Sequence, residues 1–79
     1  MDELKSANKV IGLKQSLRAV KEGEALSAFV ARDAEERVTA PVLEACREQN
    51  VPVTYAESLE KLGKACGIEV GCAVCVILK

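Results

Sequence analysis

Val70-Gly71-Cys72-Ala73-Val74-Cys75-Val76-Ile77-Leu78 runs for nine residues without a charge. A strand with one wet face alternates apolar and polar residues, whereas a nearly continuous apolar run reads as a strand covered on both faces. This stretch is therefore expected at the centre of a sheet, with helices above and below it. The expected architecture is α/β: a three-layer α/β/α sandwich around a small four-stranded mixed sheet.

The segments upstream supply the other layers. Leu59, Leu62 and Cys66 form the inner stripe of a helix that Ser58 caps and Gly67 ends. Val51 to Tyr55 reads as a strand, with Pro52 near its start, where a missing N–H costs least. A helix is expected from about Thr39, with Pro41 in its first turn, Val42, Leu43 and Cys46 inside, and Asn50 as a left-handed cap. Leu26 to Ala31 is a strand. Leu13, Leu17 and Val20 recur at helical spacing over residues 13–22, and Gly23 is the stop. Lys9 to Gly12 is a short strand, and residues 3–8 a short leading helix.

All 79 residues make one domain, 1–79. With 49% apolar and 29% charged residues, the composition is that of a folded chain. Met1-Asp2-Glu3-Leu4 is acidic and has no apolar core, which argues against a signal peptide, and no apolar run reaches the roughly 20 residues that span a bilayer. A cytoplasmic, non-membrane protein is expected.

Net charge is −1, unsuited to coating any polyanion, DNA included. The charge is unevenly placed. Lys5, Lys9, Lys14, Arg18 and Lys21 follow one another without an acid, whereas Asp33 to Glu60 holds seven acids against Arg37 and Arg47. Phe29 and Tyr55 are the only aromatics, too few for a platform of several stacked bases.

Short βα connections bring the loops after the first three strands, Gly12–Gln15, Arg32–Glu36 and Ala56–Leu59, to one edge of the sheet, where ligands of such folds bind. Lys14 and Arg18 share a helix face, Lys21 continues it, and Gln15 stands beside Lys14. Helix starts favour anions, and Lys, Arg and Gln side chains read purine edges. Together these point to RNA with an opened groove: a bulge, bend or loop.

Gly12-x-Lys14-Gln15-x-x-Arg18, then Val51-Pro52, then Leu62-Gly63-x-Ala65-x-Gly67 resembles, in order and over essentially the whole chain, the kink-turn-binding ribosomal-protein family. That family includes archaeal and eukaryotic large-subunit ribosomal proteins, the core protein of box C/D ribonucleoproteins and short bacterial members, to which this chain is most similar. The family's first motif is commonly Gly-x-Asn-Glu-x-x-Lys, and its polar residues contact tandem sheared G·A pairs beside a short bulge. The resemblance assigns those contacts to Lys14, Gln15 and Arg18, with Gly12 allowing close backbone approach. Lys-Gln here replaces Asn-Glu, exchanging a carboxylate for an amide and adding a cation. The family's second contact, the loop before the last helix, falls on Ala56, Glu57, Ser58 and Leu59, and Arg32 is placed to meet phosphate. The expected partner is a structured RNA with a kink-turn, with the ribosome as a further partner and the protein a monomer. The competing reading is a ribosome-associated module whose partner is another protein.

Cys72-x-x-Cys75 invites a metal or redox reading. Its place within an apolar strand argues against both, because residues three apart on a strand point to opposite faces and histidine is absent. No metal or cofactor is expected, and no enzyme: the chain lacks histidine, and Gly63-Lys64 lacks the rest of a phosphate loop.

Overall fold

The computed structural model of the protein describes residues 8–68 and 70–79. The leading helix expected over 3–8 lies outside them, save for Asn8. Seven elements follow: β1 (Lys9–Ile11), α1 (Leu13–Lys21), β2 (Ala25–Ala31), α2 (Glu36–Gln49), β3 (Val53–Ala56), α3 (Leu59–Cys66) and β4 (Val74–Leu78). The strands form one mixed sheet in the order β1-β4-β2-β3. β4 runs antiparallel to both of its neighbours, pairing Lys9 with Ile77 and Val30 with Val74, while β2 and β3 are parallel with Ala28 opposite Val53.

The central position read from the apolar run is the one β4 occupies. Its side chains alternate between two cores, as a period of two requires. Val74 and Val76 join Ala19, Val20, Ala28, Val42, Ala45 and Cys46 in a core beneath α1 and α2. Cys75 and Ile77 point the other way, joining Phe29, Ala31, Ala56, Leu62 and Cys66 beneath α3. Helices on both faces of one sheet make the three layers.

The differences from the sequence reading lie at the element ends. β4 begins at Val74 rather than Val70, because Cys72 N–H turns to donate to the Leu59 carbonyl (3.1 Å) instead of joining the ladder. β3 begins at Val53. Pro52 stays outside it, although its carbonyl accepts from Ala28 N–H (2.9 Å). α2 begins at Glu36, three residues before Thr39. The Glu35 carbonyl accepts from both Val38 (3.0 Å) and Thr39 (3.2 Å), which winds the first turn ahead of the proline. Pro41 therefore sits inside the helix, on its exposed side. Asn50 and Gly67 adopt the left-handed conformation expected of C-terminal caps (φ 58° and 82°), and Ser58 Oγ accepts from Lys61 N–H (3.1 Å).

The cysteine geometry corrects one argument. Because Cys72 precedes β4, the opposite-faces rule does not apply, and Cys66, Cys72 and Cys75 all enter the core beneath α3. They are free, buried thiols. Among the described residues no set of three or more His, Cys, Asp or Glu is arranged to hold a metal ion. No described helix is long and apolar enough to cross a membrane.

Candidate nucleic-acid interface

β1, β2 and β3 run the same way, so their C-terminal ends share one edge with the start of β4. The elements along it are tied by backbone hydrogen bonds. Gly12 N–H donates to Val74 O (3.1 Å), Ala31 N–H to Ala73 O (2.9 Å), and Arg32 N–H to Ala56 O (2.9 Å). Asp33 Oδ1 accepts from Leu59 N–H at 2.6 Å, joining the loop after β2 to the start of α3. From Gly12 at one end to Ala56 at the other is about 14 Å, three strand spacings.

Gly12 is the N-cap of α1 with φ 106° and ψ 158°, a conformation that side chains resist. It turns the chain sharply enough for α1 to start at the edge. No acid lies in the first turn of α1 and the cap gives no side-chain hydrogen bond, so the positive end of the helix dipole is left to Lys14 and Gln15, both exposed. Arg18, one turn on, is also exposed, its Nε donating to Glu22 Oε1 at 3.1 Å. The edge thus presents an ammonium, an amide and the remaining guanidinium N–H groups on one side of a short helix. Lys21 is exposed too but stands roughly 10 Å from Lys14 along the helix axis. It lines a groove with Glu44 and Glu48 of α2, an acidic setting that weakens its claim on phosphate.

The other expected residues are assembled differently. Arg32 is exposed, its guanidinium 5.6 Å from the centroid of the Tyr55 ring. Ala56 is buried and Leu59 half-buried in the core beneath α3, so the edge has their backbone more than their side chains. Ser58 is committed to its cap. Glu57 pairs with Lys61, whose hydrogen bond and charge hold the Glu57 carboxyl below the ordinary value of 4.5. This pairing neutralises the acid that otherwise opposes an anion at the edge.

Two residues escaped the sequence reading. Ser16 is wholly buried on the inner side of α1, and among the described residues its hydroxyl has no hydrogen-bond partner. Val70, 71% exposed, stands in the loop leading to the edge strand contacts at Ala73 and Val74. That segment was expected as strand. Within Val70 to Ala73, which lie outside β4, Gly71 is the signal for a loop instead. Gly63 explains its position: a Cβ there would collide with the Val70 carbonyl oxygen, so α3 and the loop touch only because residue 63 has no side chain.

The chain is similar to several known proteins. An RNA-binding protein of Geobacillus sp. strain WCH70 is 49% identical over 76 residues, covering 96% of this chain and 93% of its own length. RNA-binding protein YbxF of Geobacillus stearothermophilus is 50% identical over the same length. A solved structure of a Bacillus halodurans protein of unknown function superposes with a TM-score of 0.81 over 90% of this chain and 71% of that one, at 22% identity, which establishes the fold. The model of the ribosomal protein L7Ae/L30e/S12e/Gadd45 family matches residues 2–79. With that span matched, and relatives near half identical along almost their whole length, the chain belongs to the ribosomal protein L7Ae/L30e/S12e/Gadd45 family.

Proposed function

We propose that the protein binds RNA, recognising and stabilising kink-turns through the edge that begins at Gly12. The observation that carries this reading is the exposed row of Lys14, Gln15 and Arg18 on a helix whose acid-free N-terminus opens at that edge. Family membership and the RNA-binding names of its relatives support it. Lys14 and Arg18 donate to guanine O6 and N7, and Gln15 supplies a paired donor and acceptor for a purine edge. Such edges are reachable in RNA only where a bulge opens the groove, which sheared G·A pairs beside a kink provide. Arg32 and the exposed apolar Val70 extend the contact, and Glu57, Ser58 and the Ala56 and Leu59 backbone frame its far end.

The mechanism is a population shift. A protein complementary to the bent form draws a flexible RNA toward it, by no more than its differential affinity for the two forms. In this reading no bond is made or broken, and the protein acts as a monomeric, cytoplasmic, ribosome-associated RNA binder rather than an enzyme. The test is titration of the protein into a kink-turn RNA and into the same RNA with its sheared G·A pairs replaced by Watson–Crick pairs. Tighter binding to the intact motif, weakening as salt rises, is expected. Equal binding to both RNAs would refute the proposal.

A further inference from the structure

Arg18 and Glu22 lie one turn apart on the exposed side of α1, their side chains 80% and 47% exposed. A single hydrogen bond joins them, from Arg18 Nε to Glu22 Oε1 at 3.1 Å. A guanidinium acts in two ways. The end that carries both Nη groups is a fork that fits the O6 and N7 pair of guanine, whereas its positive charge attracts any phosphate. Glu22 leaves that fork free, yet its carboxylate answers the charge. Glu24 brings a second carboxylate to the same groove, a space of about 310 Å³ lined by Gln15, Arg18, Glu22 and Glu24. Lys61, at the far end of the edge, is matched in the same way by Glu57. Among the described residues Lys14 and Arg32 make no ion pair, so they hold the free charge of the edge.

We infer that Glu22 determines specificity for the RNA by acting through Arg18: it leaves the guanidinium fork open to a purine edge while cancelling the charge that would otherwise hold a bare phosphate. Glu22 is thus a positioning residue rather than a base contact. The inference rests on the RNA reading above and deepens it, because it names what keeps the same site from binding every RNA. Specificity is a difference between two affinities, and it grows as much from weakening the wrong complex as from strengthening the right one. An RNA without sheared G·A pairs offers Arg18 only phosphates. In the groove such a phosphate meets the Glu22 and Glu24 carboxylates, and like charges at that range repel. A kink-turn brings guanine O6 and N7, which are uncharged acceptors, and a carboxylate on the Nε side does not oppose them. The net charge of −1 serves the same end, since a chain with few free cations gains little from phosphates alone.

The test titrates wild type, Glu22→Gln, Glu24→Gln, Arg18→Ala and the Arg18→Ala/Glu22→Gln double variant into the intact kink-turn RNA and into the RNA with its G·A pairs replaced, over about 0.1 to 1 M salt. Glutamine at position 22 keeps an oxygen for the Arg18 Nε–H and removes only the charge. Glu22→Gln is expected to tighten binding to the replaced RNA by about 5- to 8-fold at 0.1 M salt and hardly at all near 1 M, as one further phosphate contact with a salt slope of about 0.7–0.9 requires. The intact RNA, whose bases already hold the guanidinium, gains at most about twofold from the lost charge, so the ratio of the two affinities falls. Glu24→Gln removes an equal charge from the groove without releasing Arg18 and lowers that ratio less. In the double variant the ratio stays where Arg18→Ala alone puts it. Wild type that prefers the intact kink-turn, with a ratio that Glu22→Gln leaves unchanged or raises, that Glu24→Gln lowers equally, or that Glu22→Gln still lowers without Arg18, overturns this inference and leaves the RNA reading standing. Wild type that fails to distinguish intact from G·A-replaced RNA overturns both.

Discussion

At the scale of single residues, the outer side of α1 is free to serve a ligand because its inner side does the folding. Lys14 and Arg18 are exposed, and the Arg18–Glu22 pair is a surface ion pair of the kind worth at most about 0.5 kcal/mol. Lys14→Ala and Arg18→Ala are therefore expected to leave the melting temperature nearly unchanged. Each should weaken kink-turn binding by about 5- to 150-fold, the range of one good base contact, as measured by calorimetric titration. Ser16 predicts the opposite pattern. Its buried hydroxyl lost its water partners on folding and found no replacement. Ser16→Ala is expected to stabilise the fold by about 1 kcal/mol in denaturant unfolding, with RNA affinity unaltered. A loss of stability would mean that the hydroxyl has a partner after all. The Lys14–Gln15–Arg18 row was legible from spacing because helix periodicity fixes which residues share a side. Ser16 was not, since a serine in a polar helix start looks like surface until the sheet is placed beneath it.

At the scale of elements, the contact between α3 and the loop after it turns on Gly63. Alanine is the better helix former by about 1 kcal/mol. Gly63→Ala is nonetheless expected to lower the melting temperature, because the new methyl meets the Val70 backbone carbonyl rather than a yielding side chain. The same shift moves Val70 at the edge, so kink-turn affinity falls as well. A melting temperature raised by the substitution would refute the close contact. The glycine was visible in the sequence as an anomaly inside a helix; what it faced was not, because the loop it faces was read as strand. The helix and strand cores were legible wherever apolar periodicity was strong. Boundaries failed where one or two backbone hydrogen bonds decided them, as at Cys72 and at Glu35.

For the whole molecule, three buried thiols link stability to pH. Burial raises Cys46, Cys72 and Cys75 above the ordinary thiol value of 9.0, Cys72 to about 11. The folded state thus holds these protons more tightly than the unfolded chain does. Their contribution is complete below about pH 9 and drains away as pH climbs toward 11. Equilibrium unfolding at stepped pH should show stability falling in that alkaline window, and replacing Cys72 with Ala should flatten the fall. Below pH 9 an alkylating reagent should label the native thiols far more slowly than the urea-unfolded ones, since the thiolate is the reactive form. The three-layer plan itself was readable from one uncharged stretch, because a central strand with two dry faces admits few alternatives. Strand order was not readable: nothing local to Lys9–Ile11 announces that its neighbour is the last strand.

That neighbour has a consequence for how the protein is made. Lys9 pairs with Ile77, and the turn at Gly12 is pinned to Val74, so β1, made before the other described strands, takes its seat only with the last of them. Closing so long a loop delays assembly of the sheet until β4 has been translated. A nascent or truncated chain ending before Val74 would carry Lys14, Gln15 and Arg18 yet lack the anchor that aims them, and RNA capture would begin only once β4 has been made.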